Sequence, residues 1–220
     1  MKEKAIIIFR GQRVEEISIR RAVLSDIPYL YEICLKTGDE GKDAAPLFFD
    51  PYLIGNYYAA PYLLFPEGIC FVAEYQYRPQ GYIIAAPDTA AFSKWMEEQW
   101  LPPVRKRCPR PFPPEIVRTE KEKHILEMIH KKQFPVNAAD RPWLADYPAH
   151  LHIDLLPILQ GKGTGRSLMD ALFTELKRQK VPGLHLGVSA QNSGAIAFYR
   201  KLGFSVLKEQ EWGFTMGKLC

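Results

Sequence analysis

The chain has 220 residues, 47% hydrophobic and 25% charged, an ordinary globular composition that excludes a disordered or collagen-like protein. Its length favours one large α/β or all-β domain over two small ones. Twenty-nine basic residues against 25 acidic give a formal +4 and a pI near 8.8, too mild an excess to point to nucleic acid.

The apolar run Ala5 to Phe9 is too short for a signal segment and is followed by Arg10-Gly-Gln-Arg13. No stretch approaches the roughly 20 apolar residues of a membrane span. Cys34, Cys70, Cys108 and Cys220 are far apart and form no Cys-x-x-Cys pair, so free thiols in a soluble, cytoplasmic protein are expected. Glu16 to Ala22 alternates Ile17 and Ile19 with polar residues and predicts a half-buried strand. Ser25 is placed to cap a helix carrying Ile27, Leu30, Tyr31 and Cys34 on one face and stopping at Thr37-Gly38. A turn-rich acidic connection, Asp39 to Asp50, leads to an aromatic stretch, Tyr52 to Leu64, read as a second short helix. Ile69 to Tyr75 and Gly81 to Ala86 read as a hairpin turning around Arg78-Pro-Gln80.

Residues 92–145 interrupt the strands with a helical, proline-rich excursion. Phe92 to Val104 reads as a helix, and Thr119 with Glu122 forms a capping box opening another through about Lys132. Trp95, Trp100, Phe112 and Trp143 make this a packed insertion rather than a tether. From His150 the rhythm becomes regular: strand His150 to Ile158, helix Gly163 to Gln179, strand Leu184 to Ser189, helix Ser193 to Leu202. Two short strands, Phe204 to Lys208 and Trp212 to Lys218, close the chain. A strand–helix–strand unit implies parallel neighbours, and the closing pair adds antiparallel ones, so one α/β domain with a mixed sheet is expected over residues 1–220.

Between the strand and helix near residue 160 lies Pro157-Ile-Leu-Gln-Gly-Lys-Gly-Thr-Gly-Arg-Ser167. Alternate glycines let successive N–H groups converge at a helix N-terminus, which suits an anion. Gln160, Lys162, Thr164 and Arg166 add side chains able to contact a phosphate; a tight turn that binds nothing is the plainer reading. The spacing of a P-loop is absent, and Leu168 stands where a dinucleotide fingerprint needs glycine. His150, His152 and Asp154 alternate and share one face of their strand, as a polar cleft wall. His-x-His-x-Asp also opens a metallo-β-lactamase metal motif, but Leu155 stands where its next histidine belongs, so no metal is expected.

The loop matches Gln-x-x-Gly-x-Gly through Gln160, Gly163 and Gly165. Thirty residues on comes Asn192-Ser-Gly-Ala195-Ile-Ala-Phe-Tyr199, followed by Gly203-Phe204. In this order and spacing the sequence resembles the GCN5-related N-acetyltransferase (GNAT) superfamily, most closely over Leu151 to Phe204. The resemblance implies a mixed, mostly antiparallel sheet with a parallel pair splayed at its centre, helices on both faces and a long helical insertion at about 92–145. CLKTGDEGKDAAPLF, LIGNYY, the insertion and HIDLL look like the acetyltransferase-like domain that follows the glycosidase part of animal O-GlcNAcase, and like its stand-alone bacterial relatives. The animal domains are regarded as pseudo-acetyltransferases, whereas this chain keeps the intact loop.

By resemblance, acetyl-coenzyme A enters the gap between the parallel strands as cosubstrate. Leu155 and Leu156 would pair with its pantetheine arm, and Gly161, Lys162, Gly163, Thr164, Gly165 and Arg166, with Gln160, would take the pyrophosphate. Asn192 and Phe198 would lie along the coenzyme. Tyr199 would protonate the departing thiolate, and Asp154 is the candidate base. Asp39 and Asp43, near Asp50 and the tyrosines at 52–62, are candidate acceptor-binding carboxylates, favouring a cationic amine. The expected acceptor is a primary amine on a small molecule or a protein lysine, with no nucleic acid and no membrane, in a monomer or homodimer. The alternative is a coenzyme-binding pseudoenzyme acting as a sensor or interaction module.

Overall fold

The computed structural model describes residues 17–136 and 139–220; the expectations placed on residues 1–16 lie outside them. Strand β1 spans Ser18–Arg21, and helix α1 spans Ile27–Thr37. A 3-10 turn, Leu24–Asp26, precedes α1, so Asp26 rather than Ser25 sits at its N-cap. Asp26 accepts the Val23 amide (2.9 Å) and pairs with Arg20 (2.7 Å), fixing the angle between β1 and α1. The aromatic stretch folds as two short helices, α2 (Leu53–Tyr58) and α3 (Ala60–Leu64).

Strands β2 (Ile69–Tyr75) and β3 (Arg78–Ala86) form the expected hairpin, but its turn starts two residues earlier than expected. Gln76 and Tyr77 both adopt positive φ, which closes a two-residue turn matched to strand twist, so Arg78, Pro79 and Gln80 belong to β3. The insertion supplies α4 (Thr89–Trp95), a π-helical turn, α5 (Leu101–Arg107) and α6 (Glu120–His130). The insertion is packed: Phe92, Met96, Leu101, Ile125 and Ile129 join Leu30 and Ile33 in one apolar cluster, with Trp95, Trp100 and Phe112 against it. Strand β4 (Ala149–Leu155), helix α7 (Thr164–Arg178), strand β5 (Gly183–Ser189) and helix α8 (Ser193–Lys201) follow the predicted order. Strands β6 (Ser205–Gln210) and β7 (Gly213–Leu219) complete the sheet.

The sheet order is β1-β2-β3-β4-β5-β7-β6, antiparallel except for β4 beside β5. Helices cover both faces, with α1–α6 over one apolar cluster and α7 and α8 over the other. The parallel pair meets only at Ala149–Leu184 and His150–His185; beyond that the strands part. From Leu151 onward the edge of β4 that faces β5 therefore has no strand partner among the described residues, and a wedge opens in mid-sheet. All four cysteines are free thiols. No helix among the described residues is long and apolar enough to cross a membrane.

Candidate active site

A cavity of about 610 Å³ occupies the wedge, bounded by the end of β4, the glycine loop, the start of α7 and the face of α8. At the loop, Gly161 and Gly163 hold φ of +70° and +80°, a left-handed conformation that favours glycine. A Cβ built at either meets nothing within 4 Å, so the loop presents bare backbone to open space. Thr164, at the first position of α7, lines the same cavity, and its hydroxyl oxygen is buried without a hydrogen-bond partner. An orphaned donor beside two left-handed glycines at a helix N-terminus is a cradle for an anion, and a pyrophosphate fits it.

Gly165 has a different job. A Cβ there would lie 3.2 Å from Phe198 and 3.5 Å from Leu155, so this glycine lets α7 pack against α8 and β4. Arg166 also lines the cavity. Gln160 borders it, but its side-chain amide donates to the Leu155 carbonyl (2.9 Å), locking the loop onto the strand end. Lys162 does not line it; its ammonium lies 5.4 Å from the Tyr75 ring centroid. The Leu156 amide is spent on the Gln80 carbonyl (2.9 Å), and Leu156 packs with the α1-side cluster, whereas Leu155 faces the cavity.

At the other wall, Asn192 caps α8 by accepting the Ala195 amide (3.0 Å) and lines the cavity, as does Phe198. Tyr199, one residue on, is buried and reaches the cavity between Phe198 and Phe204. Burial, then the nearby Asp154 carboxylate, push its phenol well above the usual value, so the proton stays on oxygen. Asp154 lines the cavity from β4 and accepts the Tyr82 hydroxyl at 2.5 Å. Burial raises its carboxyl above the ordinary range, against hydrogen bonds from Tyr82 and Thr37 that lower it.

The acidic turn contributes different residues from those expected. Asp39 and Lys42 exchange backbone hydrogen bonds across a tight turn, and the Asp39 side chain pairs with Lys121. Asp43 accepts the Ala45 amide (2.8 Å). Neither lines the cavity; Glu40 and Lys42 do, with Thr37 from the end of α1. Glu40 also accepts the Ser189 hydroxyl (3.1 Å), linking this turn to the end of β5. Glu40 and Gly41 both adopt positive φ at this turn. Among the described residues no group of three or more His, Cys, Asp or Glu side chains is arranged to hold a metal.

Residues 41–204 match the family model described as "Acetyltransferase (GNAT) family". The structure superimposes on the crystal structure of a protein named SsHAT with a TM-score of 0.81 and 32% identity, over 92% of this chain and 98% of that one. The chain belongs to the GNAT acetyltransferase family. It is also similar to the [Ribosomal protein bS18]-alanine N-acetyltransferase of Escherichia coli (strain K12), 45% identical over 49 residues, 22% of this chain and 33% of that protein. A third relative is a peptidyl-lysine N-acetyltransferase of Salmonella typhimurium, 36% identical over 63 residues, 27% of this chain and 40% of that protein. The match thus spans a third to two-fifths of these curated relatives' length.

Proposed function

We propose that this chain transfers an acetyl group from acetyl-coenzyme A to a primary amine. The observation that carries the reading is the wedge itself, with an anion cradle at one end and Tyr199 beside Asp154 along its wall. The coenzyme supplies an activated thioester carbonyl. Amides of Gly161 to Arg166 and the Thr164 hydroxyl would hold its pyrophosphate, and the unpaired edge of β4 near Leu155 would meet its pantetheine arm. Tyr199 would give a proton to the departing sulfur; burial raises its phenol above the ordinary value, so the proton is retained until transfer. Asp154, the candidate base, already accepts the Tyr82 hydroxyl, and its nearby charge helps keep the Tyr199 phenol protonated. Fragmentary similarity to alanine and lysine N-acetyltransferases supports an amine acceptor in general.

The likeness of CLKTGDEGKDAAPLF and LIGNYY to the O-GlcNAcase-linked domain falls here on the end of α1, the acidic turn and α2. A subfamily of stand-alone relatives of that domain remains a proposal on those segments. Calorimetry with acetyl-coenzyme A, followed by thiol release with an amine panel (an N-terminal alanine peptide, a lysine peptide, spermidine, a small aromatic amine), tests both readings. Binding with amine-dependent release supports the transferase. Binding without release from any amine supports the pseudoenzyme, and absence of binding overturns both.

A further inference from the structure

A second cavity, about 250 Å³, adjoins β4 and β5 where they part. The first cavity is lined by residues 153–155 of β4 and the second by 150–152, so the two follow one another along the strand. Its other walls come from α2, α3, α4 and the insertion, with Tyr58 and Tyr62 facing His150, His152 and His185. No carboxylate lines it among the described residues, and Arg141 at the rim is its one permanently charged side chain.

Hydrogen bonds order the protons in this cavity. Thr89 Oγ1 lies 2.7 Å from the Pro148 carbonyl, which can only accept, so the hydroxyl proton is committed there. Oγ1 therefore accepts from Nδ1 of His150 (2.8 Å), leaving Nε2 of that neutral ring with a lone pair. The Tyr62 hydroxyl donates to this Nε2 (2.8 Å) and, its proton used, accepts from Nε2 of His152 (3.1 Å). His152 thus carries its proton on Nε2. Its Nδ1 holds a lone pair and has no hydrogen-bond partner among the described residues, while the ring packs edge-on against Tyr58 and Tyr62.

We propose that this second cavity takes a small amine in its uncharged form, held through an N–H bond to Nδ1 of His152. The proposal rests on the transferase reading and narrows its acceptor. Two features exclude a cationic lysine side chain or a polyamine: the absence of a counter-charge, and a cation already at the rim. The cavity's effect on positive charge is visible in its own residues. Burial holds the His152 and His185 imidazoles down to about 4, and burial, then the two other imidazoles and Arg141, lowers His150. In the transfer the N–C bond forms as the C–S bond breaks; nitrogen sheds its proton to solvent, and Tyr199 gives its phenol proton to sulfur and regains one from solvent.

The test uses the full chain saturated with coenzyme A, and two probes near neutral pH: aniline, uncharged, and Nα-acetyl-lysine amide, cationic. Aniline should bind at least about tenfold more tightly than the lysine probe, and His152→Phe should weaken it about tenfold, the worth of one hydrogen bond. Coenzyme affinity should stay within about twofold in that variant, since its site is separate; absence of coenzyme binding in the wild type would instead refute the transferase reading. Nitrogen-15 NMR of the free protein should show His152 protonated on Nε2 and His150 on Nδ1. A tighter lysine probe, no binding of either probe, unchanged aniline affinity in His152→Phe, or a His152 proton on Nδ1 would each overturn the proposal.

Discussion

Gly163 sits at φ +80° with open space where a side chain would go, directly before the buried, unpartnered hydroxyl of Thr164. Alanine at this position would be strained by about 1–2 kcal/mol and would put a methyl group into the cradle. Gly163→Ala is therefore expected to weaken acetyl-coenzyme A about tenfold or more by calorimetry, with a small fall in melting temperature. Thr164→Val separates the two effects, because it removes the orphaned hydroxyl at nearly constant volume. Affinity should drop while stability holds or rises, since a buried unsatisfied group costs about 1–3 kcal/mol. Gly165→Val is a poorer probe, as its first collision is with Phe198 and Leu155 rather than with a ligand. Residue type alone separated none of these three glycines. Their spacing marked a loop, but which one bends the chain and which one admits a neighbour depends on packing from α8, some thirty residues away.

Elements are joined by a few buried carboxylates, and these connections were the least legible part of the sequence. Thr119 and Glu122 predicted a capping box, and Thr119 does accept the Glu122 amide (3.1 Å). The Glu122 carboxylate, however, accepts the amides of Arg118 (2.7 Å) and Phe49 (2.7 Å), with Asp50 at 3.2 Å, and so ties α6 to the segment before α2. Local spacing reveals half of that motif; the other half is a contact over 72–73 residues. Glu122→Ala removes the acceptor these part-buried amides share and should cost about 1–3 kcal/mol, read as a lower denaturant midpoint. Arg20 with Asp26 joins β1 to α1 in the same way. The Arg20 hydrogen bond holds the Asp26 carboxyl below its usual range, so its contribution to stability is present above the unfolded carboxyl value, near 3.8, and fades as pH falls through the lower folded value. Asp26→Asn should flatten that acid limb in urea melts taken across the range and lower stability near neutral pH. By contrast, the periodic apolar faces of α1 and α7 were readable because each buries a continuous stripe: Leu168, Leu172 and Leu176 of α7 are all fully buried.

At the scale of the molecule, the sheet departs from continuity at one place, where β5 leaves β4 after two paired residues. Everything assigned to chemistry gathers along that opening: the cradle at its wide end, Tyr199 and Asp154 along it, and the three histidines at its apex. The last third of the sequence announced this arrangement because strand, glycine loop and helix are contiguous there. The apex was not readable, since its far walls come from α2, α3 and the insertion. The histidine alternation on β4 was apparent, but its proton order depends on Thr89 and Tyr62. Within the insertion, Arg105 is clamped by Glu97 (2.6 and 2.9 Å) and by the Ile129 carbonyl, which joins α5 to the end of α6. The central claim is that this wedge transfers an acetyl group to an amine with Tyr199 as the acid. It is tested most directly by steady-state thiol release from acetyl-coenzyme A in the wild type and in Tyr199→Phe, with and without the small aromatic amine. The account predicts release that depends on the amine and falls about 10²-fold in the variant, with coenzyme affinity unchanged because the ring remains. Release that ignores the amine, or a variant within about twofold of wild type, would contradict it.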